Sequence, residues 1–217
     1  MADAGLEKLY EKSYPWEMES GHCFTGSTPS LFARVAGEVG GGKKVLDFGC
    51  GRGELLSILK ARGNEVCGVD YSAKAVAATR RRGIRAFVSK TLRTKFPKDS
   101  FDAVVSTEVI EHLVDTGAFI DECRRVLKPG GILVLSTPNL ASASNRLKIL
   151  AGTKPTFAEE ELANSAGHLR LFTRGMLRSL LGRHSLTVER MLGSRTIIPG
   201  TQVQLPDPVT RALPQFS

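Results

Sequence analysis

A glycine-rich turn between an apolar segment and a helical pattern constrains this sequence most strongly. The apolar run Lys44–Phe48 is followed by Gly49, Gly51 and Gly53 at alternate positions, and a helical pattern begins at Glu54. A strand, a tight turn and a helix N-terminus in this order form the usual place where an α/β sheet binds a small charged ligand. Glycine lets the backbone approach that ligand closely because it has no Cβ.

Two acidic residues indicate the kind of ligand that this turn binds. Dinucleotide sites have the spacing G-x-G-x-x-G, whereas this turn has G-x-G-x-G with Glu54 where the third glycine would fall. Asp47 lies just before the turn, where a carboxylate would repel a pyrophosphate and suits an ammonium or sulfonium group. Asp70 ends the next predicted strand, where nucleoside-binding units place the acid that holds the ribose hydroxyls. The pair predicts a nucleoside with a cationic tail.

Four segments in this order resemble the class I S-adenosylmethionine-dependent methyltransferases. They are VLDFGCGRG (45–53), GVDYS (68–72), FDAVVSTEVIEHL (101–113) and LKPGGILVLSTPN (127–139). The resemblance implies S-adenosylmethionine as the cofactor. It also implies an α/β, Rossmann-like fold with a doubly wound, mostly parallel sheet of the seven-strand type. The chain end is rich in proline, so the last strand is either supplied by Thr201–Leu205 or missing.

The resemblance also implies roles for the residues of the cofactor site. Asp47, Gly49 and Gly51 would line the methionine part of the cofactor, Asp70 would hold the ribose, and Tyr71 would pack on the adenine. The set of candidate cofactor-binding residues is completed by Cys50, Gly53, Thr91, Leu92 and Glu108.

One position departs from the pattern of the resembled family. Many relatives carry an aspartate near the end of the third strand that contacts the adenine amine, and this position falls at Lys90 here. Lysine has only hydrogen-bond donors and cannot accept from an exocyclic amine. Adenine recognition is therefore expected to use backbone groups, those of Thr91 or Leu92.

A second cluster of polar residues follows the fourth predicted strand. If this turn is helical, Glu108, Glu111 and His112 share one face, because they stand at positions i, i+3 and i+4. Two carboxylates and an imidazole at this spacing can hold a divalent ion. His168, in the segment GHLRLFT (167–173), is a fourth candidate ligand.

The E-x-x-E-H pattern with a later histidine resembles two subgroups of the family. They are the ubiquinone-biosynthesis O-methyltransferases and the small-RNA 3′-terminal 2′-O-methyltransferases. The resemblance implies that Glu108, Glu111, His112 and His168 converge and bind Mg²⁺, Mn²⁺ or Zn²⁺ beside the methyl group of the cofactor. In the alternative interpretation no metal is used, Glu108 lines the cofactor pocket and His112 is the general base.

Periodicity and turn signals predict two segments along the chain. Residues 1–42 form an N-terminal helical or lid segment, and residues 43–217 form the methyltransferase domain, with a substrate-pocket insertion near 138–172. Strands are predicted near 44–49, 65–70, 85–89, 101–107, 131–137 and 186–191, and helices near 29–39, 53–62, 72–82, 116–127 and 173–183. Four upstream aromatic residues either cover the site or pack on the sheet edge: Tyr10, Tyr14, Trp16 and Phe24.

Composition excludes some classes of protein and leaves others open. The sequence has no apolar stretch near the ~20 residues that span a membrane, and its start lacks the apolar region of a signal peptide. Its four cysteines form no C-x-x-C pair, which favours reduced thiols and a cytoplasmic location. The net charge of +8 reflects either attraction to RNA or a set of solvated helix faces.

The sequence therefore predicts a methyltransferase that acts on the hydroxyl group of a small molecule. The alternatives are an RNA 2′-O-methyltransferase, an N- or C-methyltransferase, and a methyltransferase-fold protein that binds partners without catalysis.

Overall fold

Five parallel strands form the central sheet of the computed structural model, which describes residues 28–156, 158, 168–193 and 214–216. The strands are β1 (Lys44–Phe48), β2 (Glu65–Asp70), β3 (Arg85–Val88), β4 (Phe101–Thr107) and β5 (Leu127–Ser136). Their order across the sheet is β3-β2-β1-β4-β5, so the direction of winding reverses between β1 and β4. Ligands of open α/β sheets bind at such a reversal, beyond the carboxyl ends of the strands.

Helices cover both faces of this sheet. They are α1 (Thr28–Val39), α2 (Glu54–Ala61), α3 (Ala73–Arg81), α4 (Thr116–Val126), α5 (Ala143–Leu150) and α6 (Arg174–Arg183). Neighbouring residues of β1 contribute to two different apolar clusters, Val45 to the cluster with α1, α2 and α3 and Leu46 to the cluster with α4 and α6. A strand that is buried on both faces is typical of a parallel sheet. The predicted α/β, Rossmann-like, doubly wound fold is confirmed.

Residues 128–131 interrupt the pairing of β5 with β4, although they lie within the bounds of β5. Leu127 already pairs with Phe101, and the register then shifts so that Ile132 pairs with Ala103. The residues between the two pairs form a bulge, with Gly130 at φ 75°. Bulges commonly carry a glycine in this left-handed conformation, which explains why a turn-like sequence occurs within a strand.

The sixth predicted strand exists but does not extend the central sheet. It is β6 (Val188–Arg190), and it pairs antiparallel with β7 (Pro214–Phe216) in a separate two-stranded sheet. A strand of three residues offers few ladder hydrogen bonds, so its pairing is decided by tertiary contacts rather than by its alternating pattern. The alternative seventh strand, Thr201–Leu205, lies outside the described residues.

The structure tests some of the other sequence predictions, and the rest concern residues that it does not describe. The helix predicted near 29–39 is α1, whereas the four upstream aromatic residues lie outside the described residues. The insertion contains the short helix α5, which begins after the N-cap residue Ser142. Within the described part of the chain, no helix is long and apolar enough to cross a membrane. The described cysteines are all buried: Cys50, Cys67 and Cys123.

Candidate cofactor and acceptor site

The glycine turn after β1 is fastened to the end of β2 by backbone hydrogen bonds. The N–H groups of Gly49 and Cys50 both donate to the carbonyl oxygen of Val69, at 2.8 and 3.0 Å. The N–H of Gly51 donates to Oδ2 of Asp70 at 2.8 Å. The turn and the Asp70 carboxylate therefore form one rigid unit at the carboxyl ends of two adjacent strands.

All three glycines of this turn have positive φ and are required by its geometry. Gly49 has φ 84°, and a Cβ built there would lie 2.4 Å from Cγ2 of Val109, which packs against the turn. Gly51 has φ 51°, in the left-handed region that β-branched residues avoid. Gly53 then serves as the N-cap residue of α2. The contact with Val109 places the segment after β4 directly beside the glycine turn.

Asp47 is a buried carboxyl group that lacks a hydrogen-bond partner at one oxygen. Its exposed fraction is 2 %, and its Oδ1 accepts no hydrogen bond from the described residues. Burial raises the pKa of Asp47 to about 8, with smaller contributions from the charges of Asp70 and Glu54. An unpaired buried acceptor costs about 1–3 kcal/mol. A ligand that brings a cationic or donor group to Asp47 would remove this cost, so the site fits the predicted cofactor.

The raised pKa of Asp47 leads to a testable pH dependence of binding. A cationic ligand group stabilises the carboxylate and lowers this pKa, so binding below about pH 8 releases a proton. We expect the affinity for S-adenosylhomocysteine to rise between about pH 6 and pH 8, with proton release in calorimetry. Asp47→Asn, which cannot ionise, should show a weaker dependence. An affinity of the unmodified protein that does not change with pH would contradict this role.

Asp70 is held by backbone donors and retains the capacity to accept a further hydrogen bond. Its Oδ2 accepts from Gly51 and its Oδ1 accepts from the N–H of Ser72 at 2.8 Å. Burial raises the pKa of Asp70, and these backbone hydrogen bonds oppose the shift. A carboxylate has about four lone-pair positions, so at least one remains for a ligand hydroxyl group beside the backbone donors of Gly51, Tyr71 and Ser72.

Tyr71 and Lys90 lie together next to Asp70. The ammonium nitrogen of Lys90 is 4.2 Å from the centre of the Tyr71 ring, a cation–π contact. One face of Tyr71, the residue expected to pack on adenine, is thus in contact with a cation. Thr91 and Leu92 follow in the loop after β3, where Thr91 accepts a hydrogen bond from Ser89 at 2.8 Å and Leu92 packs on the core.

The sequence analysis missed the residues that fix this loop. Glu122 of α4 is buried, and its Oε1 accepts from the N–H of Thr94 at 2.8 Å and from the Thr94 hydroxyl at 2.6 Å. Arg125 donates to both Glu122 oxygens and to the carbonyl of Phe96. The amphipathic pattern of α4 does not indicate this role, because an acid followed by a basic residue three positions later is common on solvated helices.

The first candidate metal ligand, Glu108, lies apart from the helical turn. It has φ 55°, and the 3₁₀ turn includes Ile110–His112 only, so the helical spacing expected from Glu108 onward is wrong. Its Oε1 accepts a hydrogen bond from the Ser136 hydroxyl at 2.7 Å, and its N–H bonds to the Ser136 carbonyl at 3.1 Å. Burial raises the pKa of Glu108. This carboxyl group is therefore held against the end of β5.

The other three candidate ligands come together at the carboxyl end of β4. One potential ligand atom from each of Glu111, His112 and His168 lies within 4.8 Å of the other two. Nε2 of His112 is 4.0 Å from Oε1 of Glu111, and the two imidazole rings have centroids 4.8 Å apart. Glu111 is fully buried, and burial, followed by the charge of Glu108, raises its pKa to about 8.

Backbone hydrogen bonds hold the end of the insertion against this turn. The N–H groups of Leu169 and Arg170 donate to the carbonyl oxygen of Glu111 at 2.9 and 3.3 Å, which places His168 beside His112. The side chain of Glu111 is oriented separately, since its Oε2 accepts from the Thr137 hydroxyl at 3.0 Å. The sequence analysis assigned no role to Thr137 or Ser136, although both lie in the LSTPN segment of the resembled motif.

Together, the fold and these side chains match those expected of a nucleoside-binding α/β domain. The match to a family model specifies the class further: a methyltransferase domain model matches residues 26–190. The chain belongs to this methyltransferase domain family, and it carries the fold of the S-adenosylmethionine-dependent methyltransferases.

Individual relatives agree with this assignment. The ubiquinone biosynthesis O-methyltransferase of Bradyrhizobium sp. (strain ORS 278) is 41% identical over 103 residues, which are 45% of this chain and 41% of the relative. The chain thus spans about two fifths of that curated relative. Two solved S-adenosylmethionine-dependent methyltransferases share the fold. The one from Thermotoga maritima has a TM-score of 0.58 and 19% sequence identity, over 75% of this chain and 74% of that chain. The one from Mesorhizobium loti has a TM-score of 0.55 and 23% sequence identity, over 78% of this chain and 84% of that chain.

Proposed function

We propose that the protein transfers a methyl group from S-adenosylmethionine to the hydroxyl group of a small molecule. The observation that carries this proposal is the convergence of Glu111, His112 and His168 in the segment after β4, whose Val109 packs against Gly49 of the glycine turn. An acid and two imidazoles next to a nucleoside site provide the proton acceptor that a hydroxyl acceptor requires. The curated relative named as a ubiquinone biosynthesis O-methyltransferase supports the same class of acceptor.

Each residue of the site has a role in this proposal. S-adenosylmethionine, when bound, supplies a methyl group on a sulfonium, which is a good leaving group. Asp47 receives the cationic end of the cofactor and Asp70 receives its ribose hydroxyls. His112 takes the proton from the attacking hydroxyl, and Glu111, whose Oε1 lies 4.0 Å from Nε2 of His112, would stabilise the protonated imidazole once Glu111 is ionised. The protein mainly aligns the reactants, since the displacement itself is in-line at carbon.

We further propose that a divalent ion can bind Glu111, His112 and His168. Two imidazoles and a carboxylate suit Mn²⁺ or Zn²⁺ better than Mg²⁺, which prefers oxygen ligands. Ligand atoms on one such ion are at most about 4.2 Å apart, twice a metal–nitrogen bond of about 2.1 Å. The cluster, at up to 4.8 Å, would need to contract slightly. Such an ion would lower the pKa of an adjacent hydroxyl group.

The segments around the site complete the proposal. The insertion near 138–172 would shape the acceptor pocket, because it carries His168 to the cluster. Residues 1–42 would form the N-terminal segment, of which α1 packs on the sheet, and residues 43–217 would form the catalytic domain.

The class of methyl acceptor is tested by measuring the transfer of a labelled methyl group to a panel of small-molecule acceptors and, in parallel, to RNA. We expect catechols and phenols to be methylated, and total RNA to be methylated weakly, with turnover that changes little between low and moderate salt. The physical reason is that a small neutral acceptor displaces no counterions, whereas RNA binding does.

Other outcomes distinguish the alternatives. Tight RNA binding with a steep salt dependence, together with RNA methylation, would replace the proposed acceptor by a ribose hydroxyl. Methylation confined to amines or to activated carbon would exclude O-methylation. Cofactor binding without turnover on any panel would favour a binding protein.

A further inference from the structure

One segment of the chain concentrates the positive charge of the molecule. Residues 71–98, which include α3, β3 and most of the loop after β3, contain nine lysines and arginines and no aspartate or glutamate. All nine basic residues are exposed. The segment therefore carries a larger excess of positive charge than the whole chain, whose net charge is +8. We name this surface the basic edge, because β3 is an outermost strand of the central sheet.

Acidic side chains neutralise only part of the basic edge. Arg82 and Arg93 lie 3.2 and 3.4 Å from carboxylate oxygens of other elements. Arg81, Arg85 and Lys95 form no ion pair within the described part of the chain. Basic residues often protect an edge strand from pairing, but here they continue from the strand onto α3 and the following loop. Charges spread in this way attract a polyanion, which releases its counterions on binding.

An exposed aromatic residue lies among these charges. Phe87 of β3 is 41% exposed, and its ring meets the Phe96 ring edge-on, with centroids 5.8 Å apart. Arg85 and Phe87 stand two positions apart on the strand, so their side chains leave the same face of the sheet. Both residues line an open depression of about 340 Å³ along the edge. The depression thus combines an aromatic ring with a guanidinium group.

The contacts of the edge distinguish among anionic partners. A peptide strand would add through the outward backbone groups of β3, but the Ala86 carbonyl already accepts from Nε of Arg80 at 2.9 Å. A membrane-binding surface inserts a broad apolar face, whereas the exposed large apolar side chains of β3 are Phe87 and Val88. Arginine, the commoner of the two basic residue types here, matches phosphate oxygens in pairs. A basic track beside an aromatic ring is the surface that binds single-stranded nucleic acids.

We propose that the basic edge binds single-stranded nucleic acid, with phosphates on Arg81 and Arg85 and a base stacked on Phe87. In the sheet, β2 and β1 lie between β3 and β4, the strand that leads to the acid and histidine cluster. The edge is therefore distinct from the proposed acceptor site. The nucleic acid is held as a partner and is not the methyl acceptor.

Fluorescence anisotropy with short labelled oligomers of uridine and of thymidine tests this proposal. A single strand has a salt dependence with a slope of about −0.7 per neutralised phosphate, so about three phosphates predict a ~20-fold loss of affinity between about 50 and 200 mM salt. Binding of either oligomer with such a slope supports the proposal, and a preference between them identifies the sugar. An absence of binding by both oligomers at low salt would overturn it.

Two variants separate the contributions of charge and stacking. The double variant Arg81→Gln/Arg85→Gln should bind about tenfold or more weakly at low salt, with a slope that is shallower by about 1.4. Phe87→Leu keeps an apolar contact with Phe96 but removes the ring, so it should weaken binding about tenfold without changing the slope. An unchanged affinity in both variants would place the nucleic acid elsewhere and refute the assignment.

The double variant Arg178→Gln/Arg183→Gln is the matched control, because it removes the same charge from exposed positions of α6. It should keep the affinity and the slope of the unmodified protein. If it weakens binding as much as Arg81→Gln/Arg85→Gln does, net charge alone is responsible and the basic edge is not a site.

A polyglutamate peptide and vesicles of phosphatidylglycerol test the choice of partner. We expect both to bind more weakly than the oligomers at equal concentration of charge, and Phe87→Leu to leave their binding unchanged. Equal or tighter binding of the peptide or the vesicles would contradict the assignment to nucleic acid. Methyl transfer to a small acceptor should be the same in Arg81→Gln/Arg85→Gln as in the unmodified protein, so the outcome does not depend on the proposed function.

Discussion

Gly51→Val should abolish measurable binding of S-adenosylmethionine while the central sheet remains folded. Gly51 adopts φ 51°, a conformation that costs an L-residue roughly 1–2 kcal/mol and a β-branched residue more. The variant would relieve this strain by moving the turn, which breaks the hydrogen bond from Gly51 to Asp70. The new side chain would also stand where the ligand must approach the backbone. We expect at least about a 100-fold loss of affinity, or ~2.7 kcal/mol, in calorimetry.

Gly63→Val is the control that distinguishes the effect of backbone strain from the loss of the cofactor site. Gly63 has φ 80°, and a Cβ there would have no atom within 4 Å among its described neighbours, in the turn between α2 and β2. This control should lower the melting temperature but keep the affinity for the cofactor. Wild-type affinity in folded Gly51→Val would mean that the glycine turn does not contact the ligand.

His112→Ala should reduce turnover by about 10²–10⁴-fold, the usual contribution of a general base. Binding of S-adenosylhomocysteine should change little, since His112 belongs to the segment after β4 and not to the glycine turn. The measurement pairs single-turnover methyl transfer with calorimetry. His184→Ala is the matched control: His184 bonds to Asp121 at 2.8 Å, on the surface of α4, and its loss should leave turnover unchanged. Full activity of His112→Ala would exclude it as the base.

A chelator distinguishes the two chemical roles of the same histidine. If Mn²⁺ or Zn²⁺ assists, chelation should inhibit the unmodified protein, and His168→Ala should weaken the response to added metal. If His112 acts as a base alone, chelation should have no effect, and His168→Ala should retain most of the activity. Titration of the protein with Mn²⁺ or Zn²⁺ in the absence of acceptor, monitored by calorimetry, measures metal binding directly. This second readout does not depend on turnover.

The sequence predicted the central sheet well because the relevant signals are local. A buried parallel strand requires a continuous apolar run. The run before Gly49 and the run before Tyr71 both form strands close to the predicted bounds. The acids at these ends, Asp47 and Asp70, are adjacent in space because parallel neighbours place their carboxyl ends at one edge. The positions of these acids at strand ends indicated their roles, and the family resemblance specified the cofactor.

The missed features depend on pairings between distant segments. The left-handed conformation of Glu108 follows from its bonds to Ser136, which the sequence separates by 28 positions. Likewise, β6 pairs with Pro214–Phe216 rather than with the central sheet. The contact of Lys90 with Tyr71 depends on the register of β2 with β3, which no single segment specifies.

Among the described residues, a parallel bridge between Asn139 and Phe172 closes the base of the insertion. The N–H of Leu140 strengthens it by donating to the Phe172 carbonyl at 2.9 Å. A loop closed in this way changes length at little thermodynamic cost, because each doubling adds only about 0.6 kcal/mol of closure entropy. Its interior can therefore diverge or be exchanged between homologous chains while the sheet and the glycine turn stay unaltered. We therefore expect that the segment between Asn139 and Phe172 can be exchanged as one unit, provided that the bonds of Leu169 and Arg170 to Glu111 keep His168 at the site.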